Sequence, residues 1–460
     1  MAGRAGRIIA SALEGVKPPE ITWTAAGAAA TMARGARSNP SILPRAVPAF
    51  HYDDDTLCSG RVRLADIARV VGTPCYVYNA GVIRDRYRTL DAALGDVPHA
   101  LHYAFKANSA LAIVRLLRAE GAHADVNSGG ELDVALAAGY APRQIVFTGV
   151  GKSRDELERG VELDLHAINV ESRGELERVA AIAARQGRQA RVALRVNPDV
   201  DAATHRHITT GTRGSKFGVP RDEAVELARW ASRQDALALV GLHFHIGSQI
   251  VRTEPFDEAA AVVGSLVAEL ASHGVRLEHL DLGGGLGISY EGDEDEPAIA
   301  KYAAVQTAIA RRLNLPLLLE PGRVIVGPAG ALLARVVDTK LRADRRVIVL
   351  DAGMTELVRP ALYGARHRIV PVRQGASAGR TADVVGPVCE SSDAFGTYTS
   401  LPDDCDVDSL VAVLDAGAYG ASMASTFIRR PLAPEVLVDG DRWSIIRRRQ
   451  RVADLLDLET

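Results

Sequence analysis

Cysteine is scarce and scattered. Cys58, Cys75, Cys389 and Cys405 are the four cysteines in 460 residues, and no C-x-x-C pair occurs among them. That spacing excludes a disulfide framework or a cysteine-paired structural zinc, and a reducing, cytoplasmic setting is expected. Long apolar runs are also missing. None reaches the roughly 18 residues of a membrane-spanning helix, so no membrane partner is expected. Charge of one sign is lacking too, because 54 Lys+Arg stand against 57 Asp+Glu for a net charge of -3. Without a basic field to hold a phosphate backbone, nucleic acid is excluded as a partner class. There is no fixed-period repeat and no long low-complexity segment.

What is present is a folded chain, 47% hydrophobic and 24% charged. Its length accommodates two or three domains, one of which can be an α/β barrel of about 250 residues. Residues 1–45 stand apart, with six basic residues against two acidic ones and an alanine-rich patch from Ala25 to Ala30. This composition reads as a flexible extension, with organellar targeting as the alternative.

From about residue 100, short β-rich runs alternate with amphipathic stretches such as LAIVRLLRAEG and RGELERVAAIAARQG, stopped by Gly121, Gly139 and Gly274. The expected strands are Leu101–Lys106, His123–Asn127, Ile145–Thr148, His166–Val170, Arg191–Asn197, Leu239–Ile246, His279–Leu282 and Pro316–Glu320. Eight β/α units in roughly 240 residues predict a closed (β/α)8, TIM-like barrel over 79–323. Residues 324–460 are β-branched and punctuated by Gly and Pro, which predicts a mainly antiparallel β domain. The strand-rich segment 46–78 is expected to join it.

Barrel sites lie at the C-terminal ends of strands, so polar residues there carry the functional signal. Lys106 ends the first strand, where burial is expected to lower its pKa and free an amine for a Schiff base with an aldehyde. Asp125, at the end of the second, is placed to orient it or to belong to a helix cap. His243 and His245 in GLHFHIGSQ are two apart, as metal ligands can be. Lysine, serine and glycines occupy the other strand ends, so no metal is expected. An imidazole can instead lie against a planar cofactor, with Ser248 donating to an anion. Gly283, Gly284, Gly285 and Gly287 in DLGGGLG depart from G-x-G-x-x-G and offer an anion nest. Arg323 in LLLEPGR adds a fixed charge, each charge-assisted bond contributing roughly 1.5 to 3 kcal/mol. Glu320 has the wrong sign for phosphate and requires a cation, such as a protonated pyridine nitrogen. An amine, an imidazole, a glycine nest, an arginine and a carboxylate on one rim make a parts list for pyridoxal 5'-phosphate.

At this point the chain resembles the diaminopimelate decarboxylase family of barrel-type pyridoxal phosphate enzymes. The resemblance rests on YAFKANS, DVNSGGEL, VFTGVGKS, LRVNPDVDAATH with SKFGV, HFHIGSQ, DLGGGLG, EPGR, RPALYGARH, GPVCESSD and LDAGAYG, in family order from about residue 50 to 430. Lys106, His245, the glycine loop and EPGR are shared across the superfamily, whereas NPDVDAATH, MTELVRPALYGA and CESSD resemble the diaminopimelate branch. Ala110, in KANSA, departs from the residue common there. The resemblance implies decarboxylation of meso-2,6-diaminopimelate to L-lysine, the last step of lysine biosynthesis. It implies that Lys106 carries the cofactor, His245 stacks on it and Glu320 meets its ring nitrogen. Ser248, Gly284, Gly285, Gly322, Arg323 and Tyr419 would surround the phosphate. Arg323, Arg359, Tyr363, Glu390 and Tyr419 would contact substrate, and Cys389 would donate a proton. It further implies a homodimer in which the Cys389–Glu390 segment reaches the partner's site. The alternatives are a relative acting on ornithine, lysine or another carboxylated amine, and a non-catalytic regulatory homologue.

Overall fold

The computed structural model describes residues 48–200, 215–290, 299–343, 345–375 and 379–459. The extension 1–45 and the DAATH end of the NPDVDAATH motif lie outside the described residues.

The amino-terminal segment forms an antiparallel sheet of β1 (His51–Asp53), β2 (Thr56–Ser59) and β3 (Val62–Arg63), followed by helix Leu64–Val71 and strand β4 (Cys75–Asn79). The helix interrupts the strand-rich segment. Its Leu64, Ile67 and Ala68 share one face and pack into a core with Leu57, Val77 and Val436, the spacing of an amphipathic helix.

Eight parallel strands then close a barrel. They are β5 (His99–Ala104), β6 (His123–Val126), β7 (Ile145–Phe147), β8 (Ala167–Val170), β9 (Ala190–Asn197), β11 (Leu237–His243), β12 (His279–Asp281) and β13 (Leu317–Leu319), with β10 (Val219–Pro220) beside β9. Pairing of β8 with β9 and of β13 with β5 leaves no open edge. Local chemistry sets the helices between strands. Ser128 and Ser172 accept from the backbone N–H groups of Glu131 and Glu175 at the starts of helices Gly129–Ala138 and Arg173–Gln186. Gly139 and Gly187 end those helices in the left-handed region, which glycine adopts without a Cβ penalty.

The third sheet contains β14 (Gly330–Arg342), β15 (Arg345–Leu350), β16 (Ile369–Pro371), β17 (Ala382–Val385), β18 (Ala394–Tyr398), β19 (Leu410–Val413), β20 (Glu435–Asp439) and β21 (Arg442–Arg447). Antiparallel pairs predominate, and β4 lies between β14 and β20. The loop after β19 reaches the barrel rim. Tyr419 N–H donates to the Ala107 carbonyl at 2.8 Å, and Asn108 Nδ2 donates to the Gly417 carbonyl at 3.2 Å. The turn carrying Lys106 is therefore tied to the LDAGAYG segment.

Candidate active site

A cavity of about 260 Å³ opens at the C-terminal ends of the barrel strands. Strand β5 stops at Ala104, short of the expected end, and Lys106 sits on the single turn Phe105–Ala107. Ala104 is in register with Asp125 on the neighbouring strand. This brings Lys106 Nζ to 2.9 Å from Asp125 Oδ2. Burial opposes the ammonium, but the Asp125 and Glu320 carboxylates outweigh it and hold the Lys106 pKa above the ordinary lysine range. The expected lowering is thus reversed by the neighbouring carboxylates. Asp125 is fully buried and also accepts from Asn127 Nδ2 at 3.1 Å, while Ser128 supplies the helix cap.

The two histidines do not share a strand face. β11 ends at His243, whose Nε2 lies 3.3 Å from Glu320 Oε2. His245 lies beyond the strand and accepts from Gly284 N–H through Nδ1 at 3.3 Å. Burial, then Lys106 and Arg195, keep His245 well below the usual histidine range, hence neutral. Glu320 is opposed by burial, yet His243 and Lys106 hold its carboxyl below the ordinary range. Thr148 Oγ1 donates to its other oxygen at 3.3 Å.

Arg323 starts the short helix after β13 and is almost wholly buried. It donates to Tyr290 Oη at 2.5 Å and to Ser248 Oγ at 3.0 Å, and its guanidinium lies 4.7 Å from the Tyr419 ring centre. Its Nε is buried with no hydrogen-bond partner among the described residues. The glycines around it are sterically required. A Cβ on Gly284 would run into the Glu320 carbonyl, and Gly285 has a φ of +108°. A Cβ on Gly322 would lie 2.9 Å from that of Ala107. Spare guanidinium donor, serine hydroxyl, a glycine backbone with no room for a Cβ, ionised carboxylate and lysine amine form a donor set that fits pyridoxal phosphate.

Arg359 forms a second cationic corner. Its Nη1 donates to His367 Nε2 at 2.7 Å, and His367 Nδ1 in turn lies 2.9 Å from the Leu414 carbonyl, which fixes the neutral tautomer. Lys106, His245, Ser248, Gly284, Gly285, Glu320, Gly322, Arg323, Arg359, Tyr363 and Tyr419 all line the cavity. Asp125 stands behind Lys106. Cys389 and Glu390 are exposed and lie outside the lining of this chain's own cavity. Their loop is anchored by Asp393, whose carboxylate accepts from Val388 N–H at 2.7 Å and Met354 N–H at 2.6 Å. Sequence reasoning missed Asn127, Thr148, Arg195, Phe217 and Met423 in the lining. Asn127 and Thr148 follow β6 and β7, so the strand-end rule applied to every strand would have found them.

Residues 80–327 match the family of pyridoxal-dependent decarboxylases through their pyridoxal binding domain. The diaminopimelate decarboxylase of Neisseria meningitidis is 43% identical over 86% of this chain and 97% of its own length. That of Pseudomonas aeruginosa is 44% identical over 88% of this chain and 97% of its own. Among solved structures, diaminopimelate decarboxylase from Helicobacter pylori complexed with L-lysine superposes with a TM-score of 0.82 at 38% identity, covering 86% of this chain and 99% of that one. With near-complete coverage of these relatives and a barrel carrying the expected donor set, the chain belongs to the diaminopimelate decarboxylase family of pyridoxal-dependent decarboxylases.

Proposed function

We propose that this chain converts meso-2,6-diaminopimelate to L-lysine and CO2 with the cavity residues in the following roles. The observation that carries this reading is the convergence of Lys106, Glu320 and Arg323 on one cavity that also contains the buried Arg359. Pyridoxal phosphate, when bound, supplies a sink for the electron pair left behind by CO2. Lys106 offers the amine that carries it, and Asp125 orients that amine. Glu320 presents an ionised carboxylate to the ring nitrogen, while neutral His245 lies against the ring. Arg323, Ser248, Tyr419 and the backbones of Gly284, Gly285 and Gly322 receive the phosphate.

Arg359 and Tyr363 hold the far end of the substrate. A buried guanidinium suits a distal carboxylate by paired hydrogen bonds and has no partner on ornithine or lysine, which favours diaminopimelate over those substrates. Cys389 and Glu390 act on the site of a second copy of the chain, with Cys389 returning a proton to the reacting carbon. Their exposure outside the cavity of their own chain supports that homodimeric arrangement.

The test is CO2 release from meso-diaminopimelate, ornithine and lysine by wild type and by Lys106→Ala. Turnover of diaminopimelate alone, lost in a folded Lys106→Ala variant, is the expected result. Turnover of ornithine without diaminopimelate overturns the substrate, and full activity in Lys106→Ala overturns the role of the lysine.

A further inference from the structure

Beside Glu320 lies a second carboxyl group that the roles above leave unused. Asp281 ends β12, in register with His243 on β11 and with Leu318 on β13, and is fully buried. The backbone of Gly283 holds it against Glu320. Gly283 N–H donates to Asp281 Oδ1 at 2.9 Å, and the Gly283 carbonyl accepts from Glu320 N–H at 2.8 Å. A Cβ at Gly283 would run into the Phe244 carbonyl, so only glycine fits this link. The two carboxyl groups are within hydrogen-bonding reach of each other, and one atom each from His243, Asp281 and Glu320 lie within 4.8 Å.

Ionised carboxylates are acceptors only, so contact between two of them in a dry interior requires a proton on one. The surrounding donors decide which. Glu320 receives the Thr148 hydroxyl and faces His243 Nε2, each at 3.3 Å, and the Lys106 ammonium further favours its ionised form. Asp125, the third buried carboxyl, takes the Lys106 ammonium at 2.9 Å. Among the described residues Asp281 receives the Gly283 N–H, and Tyr302, turned toward it from helix Ile299–Leu313, brings no positive charge. We infer that Asp281 is an un-ionised carboxylic acid that donates its proton to Glu320, and so is the positioning residue that keeps the Glu320 carboxylate ionised at the cavity.

The ionisation of the pair agrees with this placement of the proton. Burial, then Glu320, push the Asp281 carboxyl well above the ordinary carboxylate range, while Glu320 lies below it. Two adjacent carboxyls whose affinities for a proton are driven apart share one proton between them. A hydrogen bond from a neutral acid to a carboxylate is short and strong. An ionised Asp281 would instead repel Glu320 where burial leaves the repulsion poorly screened. It would also add a negative charge that favours the Lys106 ammonium over the amine needed to capture the cofactor. The neutral acid supports Glu320 without that penalty. The step from Glu320 to the ring nitrogen rests on the role proposed above for Glu320, whereas the proton on Asp281 does not.

The experiment compares full-length wild type with Asp281→Asn, which keeps a donor, and Asp281→Ala, which removes it. Infrared difference spectra in mildly alkaline buffer, wild type minus either variant, are expected to contain the C=O stretch of one un-ionised carboxyl group. A difference spectrum without that band overturns the inference, and one folded variant is enough to decide. Cofactor loading against pH is expected to keep its profile in Asp281→Asn, since a neutral group replaces a neutral group. A shift toward acid reveals an ionised Asp281 and overturns the inference as well. With pyridoxal phosphate bound and meso-diaminopimelate as substrate, kcat is expected to fall roughly tenfold in Asp281→Ala and to recover in Asp281→Asn. Equal losses in the two variants overturn the positioning role. The infrared band is read without cofactor or substrate, so failure of the proposed reaction is told apart from failure of the shared proton.

Discussion

Lys106 lies beside a carboxylate that has no access to water, and this contact governs how the lysine can react. Its amine must be unprotonated to attack an aldehyde, yet Asp125 and Glu320 stabilise the ammonium. Loading of pyridoxal phosphate onto the cofactor-free chain is therefore expected to accelerate as pH rises. Asp125→Asn removes the nearest stabilising charge, lowers the lysine pKa and moves that pH profile toward acid. Stopped-flow absorbance across pH checks the shift. A profile displaced toward alkali, or unmoved, refutes the assigned charge coupling. The same residue-scale logic separates Arg323 from Arg359, both buried arginines. Arg323 retains an unpartnered Nε beside Ser248 and the glycines, whereas Arg359 is oriented by a neutral imidazole through His367 and Leu414.

At the scale of elements, the loop after β7 shows how the barrel keeps its rim in place. Lys152 Nζ donates to the Gly149 carbonyl at 2.6 Å, the Asn169 carbonyl at 2.8 Å and Glu175 Oε1 at 2.9 Å. Its three donors are used in joining that loop to β8 and the following helix. Lys152→Ala leaves Glu175 buried without its cation and is expected to cost about 3–5 kcal/mol of stability. Denaturant unfolding measures this, and a loss below about 1 kcal/mol, the level of an exposed pair, contradicts the role given to this contact. Elements of this kind also mark the reach of sequence reasoning. The barrel strands are legible because hydrophobic runs alternate with amphipathic helices, and Lys106, Glu320 and Arg323 because each follows a strand. The end of β5 at Ala104 and the separation of His243 from His245 depend on where the closed sheet stops pairing. The partners of β4 depend on residues some 250 and 360 positions away. No local pattern encodes that register. The reversal of the Lys106 shift was hidden for a related reason, since it depends on two carboxylates brought together only by barrel closure.

For the whole molecule, the decisive geometry is that one chain builds the cavity and displays Cys389 and Glu390 outside its lining. If those residues complete the cavity of a second copy, two differently damaged chains can repair each other. Lys106→Ala destroys the cavity that its own chain builds, and Cys389→Ala spoils only the cavity of its partner. In a mixed dimer one site then carries both lesions and the other carries neither. Random reassociation of equal amounts makes half the dimers mixed, so recovery of about a quarter of wild-type turnover is expected from two nearly inactive parents. The assay follows lysine formation after the variants are co-refolded or exchanged at low concentration. Mixing that restores nothing, with exchange verified by mass, places Cys389 in the service of its own chain and removes the physical reason for an obligate pair.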